Sequence, residues 1–168
     1  PFKSKDKEES LGCCILPNYE KISILNQKFD LLIHSAAIPN KECEDFKNLS
    51  RIINVKLTEY LAEYCEANNI FFIFFSSVQV YGSNLKNKID ERSLLNPETY
   101  YSEMKIDAES LIIDNVKSKN LKGTILRLGN IVGPPIFNNK SSLRLFANGA
   151  IYESLKNKKI TIKNNPLT

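Results

Sequence analysis

The sequence predicts an α/β chain built on a doubly wound parallel sheet. Two observations carry that expectation. Three short apolar runs have strand length: Leu31-Leu32-Ile33, Ile70 to Phe75, and Ile125-Leu126 running into Arg127-Leu128. An unbroken apolar run of that length suits a parallel strand covered on both faces. Long helical patterns lie between the runs, and strand alternating with helix is the mark of right-handed crossovers in a doubly wound sheet.

The elements follow in order. Leu11 to Leu16 has the character of a strand end, and Tyr19 to Phe29 that of a short helix. Leu31 to Ile33 is the first clear strand. Phe46, Leu49, Ile53, Leu57, Tyr60, Leu61 and Tyr64 recur mostly at steps of three and four, which predicts a helix over about 44–67. Ile70 to Phe75 is the next strand. Tyr101, Met104, Ala108, Leu111 and Ile112 repeat the helical spacing and predict a helix over 97–119. Ile125 to Leu128 follows as a strand, Leu143 to Leu155 reads as a helix and Ile160-Thr161-Ile162 as a short strand. Asn164-Asn165-Pro166 then breaks the pattern.

Composition narrows the classes. A chain of 168 residues, 42% hydrophobic and 25% charged, is long enough for one core and short for two. A formal charge of +4 is too mild to point to nucleic acid. No apolar run reaches the roughly 18 residues of a membrane span, and the charged N-terminal segment does not read as a signal peptide. The expectation is a cytoplasmic protein with no membrane and no nucleic-acid partner. Cys13, Cys14, Cys43 and Cys65 form no C-x-x-C pair and have only His34 for company, so a metal site is not expected. The thiols read as small apolar filler. Lys156, Lys158, Lys159 and Lys163 read as a solvated helix end.

The candidate chemistry lies in Tyr101-Ser102-Glu103-Met104-Lys105. On a helix this spacing puts a phenol and an ammonium on one face, one turn apart. A nearby cation favours the phenolate, so the expectation is a Tyr101 phenol lowered from its ordinary value of about 10. Such a phenol serves as a general acid/base on a hydroxyl or carbonyl. The pattern alone far more often describes an ordinary surface pair. Ser76-Ser77 follows the strand from Ile70 to Phe75 directly, and ligands of parallel sheets sit beyond the carboxyl ends of strands. A serine hydroxyl there could bond the same oxygen that Tyr101 serves; the plain alternative is two serines capping a strand end.

The chain resembles the extended short-chain dehydrogenase/reductase family, especially its nucleotide-sugar epimerase branch. The matching segments are Asp30 to Ala37, Asn54-Val55 with Thr58, Phe75-Ser76-Ser77 with Val80-Tyr81-Gly82, and Asp90-Glu91. Pro97, Tyr101 with Lys105, Glu109, Leu126-Arg127, Asn130 and Gly133-Pro134 continue the match in order. The resemblance implies a Rossmann-like sheet with NAD as cofactor, NADP not excluded, and a nucleotide-sugar substrate. By the same resemblance Tyr101 is the acid/base, and Lys105 holds the nicotinamide ribose and tunes Tyr101. Ser77 binds the reacting sugar oxygen, beside Ser76 on the cofactor side. Ser35, Ala36 and Ala37 line the cofactor, Asn54 supports that side from the next helix, and Asn130 faces the substrate. Ala36 and Ala37 equally suit tight packing. His34 is expected packed at a strand end, and Gly82 and Gly133 are expected in turns.

The sequence also departs from the family. Gly12, Gly82, Gly123, Gly129, Gly133 and Gly149 hold no set with the G-x-x-G-x-x-G spacing that cradles a pyrophosphate at a helix N-terminus. The expectation is therefore an incomplete sheet: an internal fragment lacking the first strands, with a partial dinucleotide-binding domain over 1–168 and a substrate lobe starting near residue 134. Tight dinucleotide binding is not expected of the isolated chain. Cys13 stands after Gly12 where the family often has an aspartate for the adenine. Val78-Gln79 stands after Ser77 where the dehydratases of the family carry Asp-Glu. The resemblance therefore implies an epimerase. A reductase of a keto-sugar or thioester and a non-catalytic dinucleotide-binding regulator are the alternatives. It also implies that the helices near 44–67 and 97–119 pair with their copies in a homodimer.

Overall fold

The computed structural model describes residues 28–83, 88–133, 143 and 145–159. The expected strand end at 11–16, most of the helix from Tyr19, the Gly12-Cys13 pair and the strand at 160–162 lie outside the described residues. The chain divides into two compact units, Pro1–Arg127 and Leu128–Thr168.

In the first unit β1 spans Leu31–His34 and is followed by α1 (Asn40–Asp45) and α2 (Lys47–Arg51). A wide π turn over Ile52–Lys56 leads into α3 (Leu57–Ala67). Then come β2 (Phe71–Ser77), a 3-10 turn (Val78–Tyr81), α4 (Tyr100–Ser118) and β3 (Gly123–Leu128). The strands form a three-stranded parallel sheet in the order β1-β2-β3. Leu31 pairs with Phe71 and His34 with Phe74. Gly123 sits where a Cβ would meet the Phe72 carbonyl oxygen at 2.5 Å, so β3 enters the sheet at a position open only to glycine.

The expected long helix at 44–67 is broken at Phe46, whose φ of −130° and ψ of 54° lie outside helical values. It then carries the π turn at Ile52–Lys56. The helix expected at 97–119 begins instead at Tyr100. Thr99 caps it, its hydroxyl accepting from the Ser102 amide while the Ser102 hydroxyl accepts from the Thr99 amide. The N-terminus is thus tied by two reciprocal bonds where the helix delivers Tyr101. After α3 and after α4 the chain turns through left-handed asparagines, Asn69 (φ 56°) and Asn120 (φ 63°), into the next strand.

The core lies on one face of the sheet. Leu57, Leu61, Ala62 and Cys65 of α3 and Ala108 and Ile112 of α4 pack on Phe72 and Phe74. The unbroken apolar runs suggested cover on both faces. Among the described residues the other face stays open: Leu31 (46%), Ile33 (52%), Phe71 (42%) and Leu126 (40%) are exposed. Side chains alternate across a strand, so covering one face buries only every second residue.

In the second unit α5 spans Phe146–Asn157, close to the expected 143–155. Its buried Asn148 accepts from the Gly133 amide at 3.0 Å and donates to the Ile131 carbonyl at 3.1 Å. No described helix is long and apolar enough to cross a membrane.

Candidate active site

β2 ends in Ser76 and Ser77, both buried. The Ser77 hydroxyl accepts from the Gln79 amide at 3.2 Å and so caps the 3-10 turn. The capping reading of the serines therefore holds for Ser77, whose hydroxyl proton remains available for a second acceptor. The Ser76 hydroxyl is buried with no partner in the structure. An orphaned buried hydroxyl is costly, and this one lies at a strand end, where ligands of parallel sheets bind.

α4 brings Tyr101 and Lys105 to the same strand end. The Lys105 ammonium is buried, donates to the Phe75 carbonyl at 2.8 Å, and lies 4.6 Å from the Phe74 ring centre and 5.6 Å from that of Tyr101. One carbonyl bond and two ring faces leave donor capacity on the ammonium. Burial lowers Lys105 to about 8, against the pull of negative charge at Cys43 and Glu109.

The expected lowering of Tyr101 is not found. Burial pushes its phenol above the ordinary value, and negative charge at Cys43 pushes the same way. Burial also raises the Cys43 thiol, which is therefore neutral near pH 7, so desolvation is the operative cause. The cation of Lys105 does not outweigh the removal of the phenol from water.

The carboxyl end of β1 adjoins this place in the sheet. Ser35 and Ala36 are exposed and Ala37 is half-buried, so the loop offers small side chains to solvent. Asn54, buried within the π turn, clamps the loop from behind. Its Oδ1 accepts from the Ile38 amide at 2.7 Å and its Nδ2 donates to the Ile38 carbonyl at 3.0 Å. π turns recur at functional positions. His34 is packed as expected: buried between Phe72 and Phe74, with Nε2 2.9 Å from the Thr58 hydroxyl. That hydroxyl donates to the Asn54 carbonyl at 3.0 Å, which assigns the proton of the first bond to His34 Nε2. Asn130 belongs to the second unit and is exposed.

Three features escaped the sequence reading. Cys43, read as filler, donates to the Ile38 carbonyl at 3.2 Å and packs with Met104, Val55 and Tyr101. The Asn54 clamp needs the π turn, for which the sequence gives no signal. An ion pair joins buried Glu109 to half-buried Arg127 at 2.6 Å.

For a dinucleotide the described residues fit one half. The orphaned Ser76 hydroxyl, the free donors of Lys105 and the small residues 35–37 suit a nicotinamide ribose, whereas the sequence holds no glycine cradle for the pyrophosphate. The sequence profile of the NAD dependent epimerase/dehydratase family matches residues 4–166. The chain belongs to that family. A dTDP-D-glucose 4,6-dehydratase of Dictyostelium discoideum is 35% identical over 150 residues, which is 81% of this chain and 33% of that protein. A D-erythronate dehydrogenase of Haemophilus influenzae is 29% identical over 121 residues, 71% of this chain and 38% of its own. The UDP-glucuronic acid 4-epimerase of Bacillus cereus, solved in complex with NAD, superposes with a TM-score of 0.70 at 27% identity. The match covers 86% of this chain and 45% of that one. This chain thus spans between a third and a half of the length of these three proteins. They carry three different reactions, so family membership leaves the chemistry to be argued from the site.

Proposed function

We propose that the full-length protein is an NAD-dependent epimerase of a nucleotide-linked sugar. The observation that carries this reading is the Lys105 ammonium bonded to the Phe75 carbonyl, one helical turn from Tyr101 and two residues before Ser77. This reading sets the two hydroxyls and the cation at one strand end, where ligands of parallel sheets bind.

Bound NAD supplies the hydride acceptor and returns the hydride. The chain supplies the proton path and the positioning. In its ionised form the Tyr101 oxygen takes the proton of the sugar hydroxyl as its carbon is oxidised, and gives it back to the ketone oxygen on reduction from the other face. Ser77 donates a hydrogen bond to that same oxygen. Lys105 holds the ribose hydroxyls and keeps positive charge beside the phenol while it is ionised. Ser76 and the loop Ser35-Ala36-Ala37 bound the cofactor, and Asn54 fixes that loop through Ile38. Asn130 keeps the substrate-facing role that the family resemblance implies.

The dehydratase relative does not decide the reaction. Elimination of water needs a carboxylic acid and a carboxylate base, and Val78 and Gln79 follow Ser77 instead. A second reading is a one-way dehydrogenase or reductase. The likeness to a D-erythronate dehydrogenase and the raised, protonated Tyr101 favour it. A phenol that starts protonated is ready to act as an acid on a ketone. A cofactor-sensing regulator would have no use for Ser77, Tyr101 and Lys105 together. NADP stays open as an alternative cofactor. The setting is taken as cytoplasmic, and exposed Phe46, Leu49, Ile52, Ile113 and Val116 support pairing in a homodimer. An absorbance trace at the near-ultraviolet band of reduced nicotinamide tests the reading. Full-length protein converting a nucleotide sugar with no net change in that band supports an epimerase. Stoichiometric formation or consumption of the band overturns it in favour of the dehydrogenase or reductase.

A further inference from the structure

Buried Glu109 is paired with half-buried Arg127, and the function proposed above makes no use of them. Glu109 is buried on α4, one turn beyond Lys105 as Lys105 is one turn beyond Tyr101. Arg127 reaches it from β3. Its Nε lies 3.0 and 3.2 Å from the two carboxylate oxygens, and a second nitrogen lies 2.6 Å from one of them. The remaining guanidinium nitrogen donates to the Tyr81 hydroxyl at 2.7 Å and to the Glu91 carbonyl at 3.2 Å. The Tyr81 hydroxyl in turn donates to the Asp90 carbonyl at 2.9 Å, and its ring stacks 5.0 Å from the guanidinium carbon.

These bonds reach three places that matter. Tyr81 is the last residue of the turn whose first amides are capped by Ser77. Asp90 and Glu91 belong to the segment that leads into α4. Glu109 belongs to α4 itself, on the face that carries Tyr101 and Lys105. A planar five-donor fork satisfies all three at once, which an ammonium could not do. Arg127 also engages both carboxylate oxygens of Glu109. An unpaired carboxylate one turn from Lys105 would compete with the Phe75 carbonyl for its ammonium. Gly82 completes the arrangement. It turns at φ +73° directly after Tyr81, where a Cβ would meet the Asn96 carbonyl at 2.5 Å.

We propose that Arg127, with Glu109 and Tyr81, is a positioning cluster that sets the Ser77 turn against the Tyr101–Lys105 face of α4. It touches no reacting atom. Its effect is on the alignment of two hydroxyls that must meet at one oxygen, so it governs the rate of the chemical step and not the capture of ligands. This inference rests on the roles proposed for Ser77 and Tyr101.

The test compares Tyr81→Phe, Arg127→Lys and Tyr101→Phe in the full-length enzyme with its cofactor. Tyr81→Phe keeps the ring and its stacking on Arg127 and removes only the hydroxyl. It is expected to lower kcat about ten-fold, with KM and cofactor Kd changed less than about two-fold, because small misalignment is costly to a step that needs near-attack geometry. Arg127→Lys keeps the charge and loses the fork, and is expected to lower kcat further with the same split. Unchanged kcat in Tyr81→Phe beside a large loss in Tyr101→Phe overturns the positioning role and leaves the proposed function standing. Parallel changes in kcat, KM and Kd overturn it in favour of general scaffolding. Unchanged kcat in Tyr101→Phe removes the function proposed above, whatever the other two variants do.

Discussion

The carboxyl ends of β2 and β1 are neighbours in one sheet and are built in opposite ways. At the end of β2 Ser76, Ser77 and Lys105 are buried, and the last two are tied to the backbone beside them. Lys105 sits on the Phe75 carbonyl, Ser77 caps its own turn, and Glu109 with Arg127 holds α4 and β3 together. At the end of β1 the loop is small and open, with Ser35 and Ala36 exposed and Asn54 and Cys43 gripping it through Ile38. The contrast separates two requirements. Proton transfer needs fixed groups in a site shielded from water, whereas close approach of a large flat ligand needs backbone cleared of side chains.

That contrast gives three expectations: two on turnover and binding, the larger first, and one on stability. Lys105→Met removes the buried ammonium from the β2 end. Turnover is expected to fall about 10²-fold, on the scale of general acid/base effects. Thermal stability should hold or rise, because a buried charge is replaced by an apolar chain. A fall in melting temperature with full turnover would make Lys105 structural. Ala36→Leu adds bulk at the β1 end, where Ala36 is exposed. It should leave the melting temperature unchanged while weakening cofactor binding about ten-fold, the scale of a steric misfit. Calorimetric titration with NAD reads this, and unchanged affinity would move the cofactor away from that loop. The third expectation concerns stability and lies at His34, packed between the two ends. Its ordinary value of 6.5 is lowered to about 4 by burial and by the Lys105 charge. The unfolded chain therefore takes up the proton first as pH falls. The stability this group contributes is complete above about 6.5 and is lost on the way down to about 4, by up to about 3 kcal/mol. His34→Gln should flatten the urea midpoint across that window relative to the parent. An identical pH profile in both proteins would show that His34 titrates freely.

The sequence made the β2 end far more legible than the β1 end. Tyr101 and Lys105 announce themselves through helical spacing, and Ser76-Ser77 through their place after an apolar run, because periodicity and position along a strand survive in one dimension. The clamp of Asn54 does not, since it depends on a π turn that shifts the register of the helix at Ile52–Lys56. Nor does the union of Tyr81, Glu109 and Arg127, whose members lie on a turn, a helix and a strand. The direction of the Tyr101 shift was misread for a similar reason. The charge of Lys105 is visible in the sequence, but the burial that outweighs it belongs to the packed structure. The open face of the sheet, with Leu31, Ile33 and Phe71 exposed, shows the same limit: an apolar run marks a strand and not which of its faces is covered.

The central claim is that Ser77 and Tyr101 act on one oxygen, and a double-variant cycle in the full-length enzyme tests it most directly. Tyr101→Phe is expected to lower kcat by about 10²-fold or more, and Ser77→Ala by about ten-fold. Groups that act as a unit are not additive, so the double variant should be about as slow as Tyr101→Phe alone. A double variant slowed by the product of the two single losses would place the hydroxyls at separate tasks, and full turnover in Tyr101→Phe would contradict the account outright.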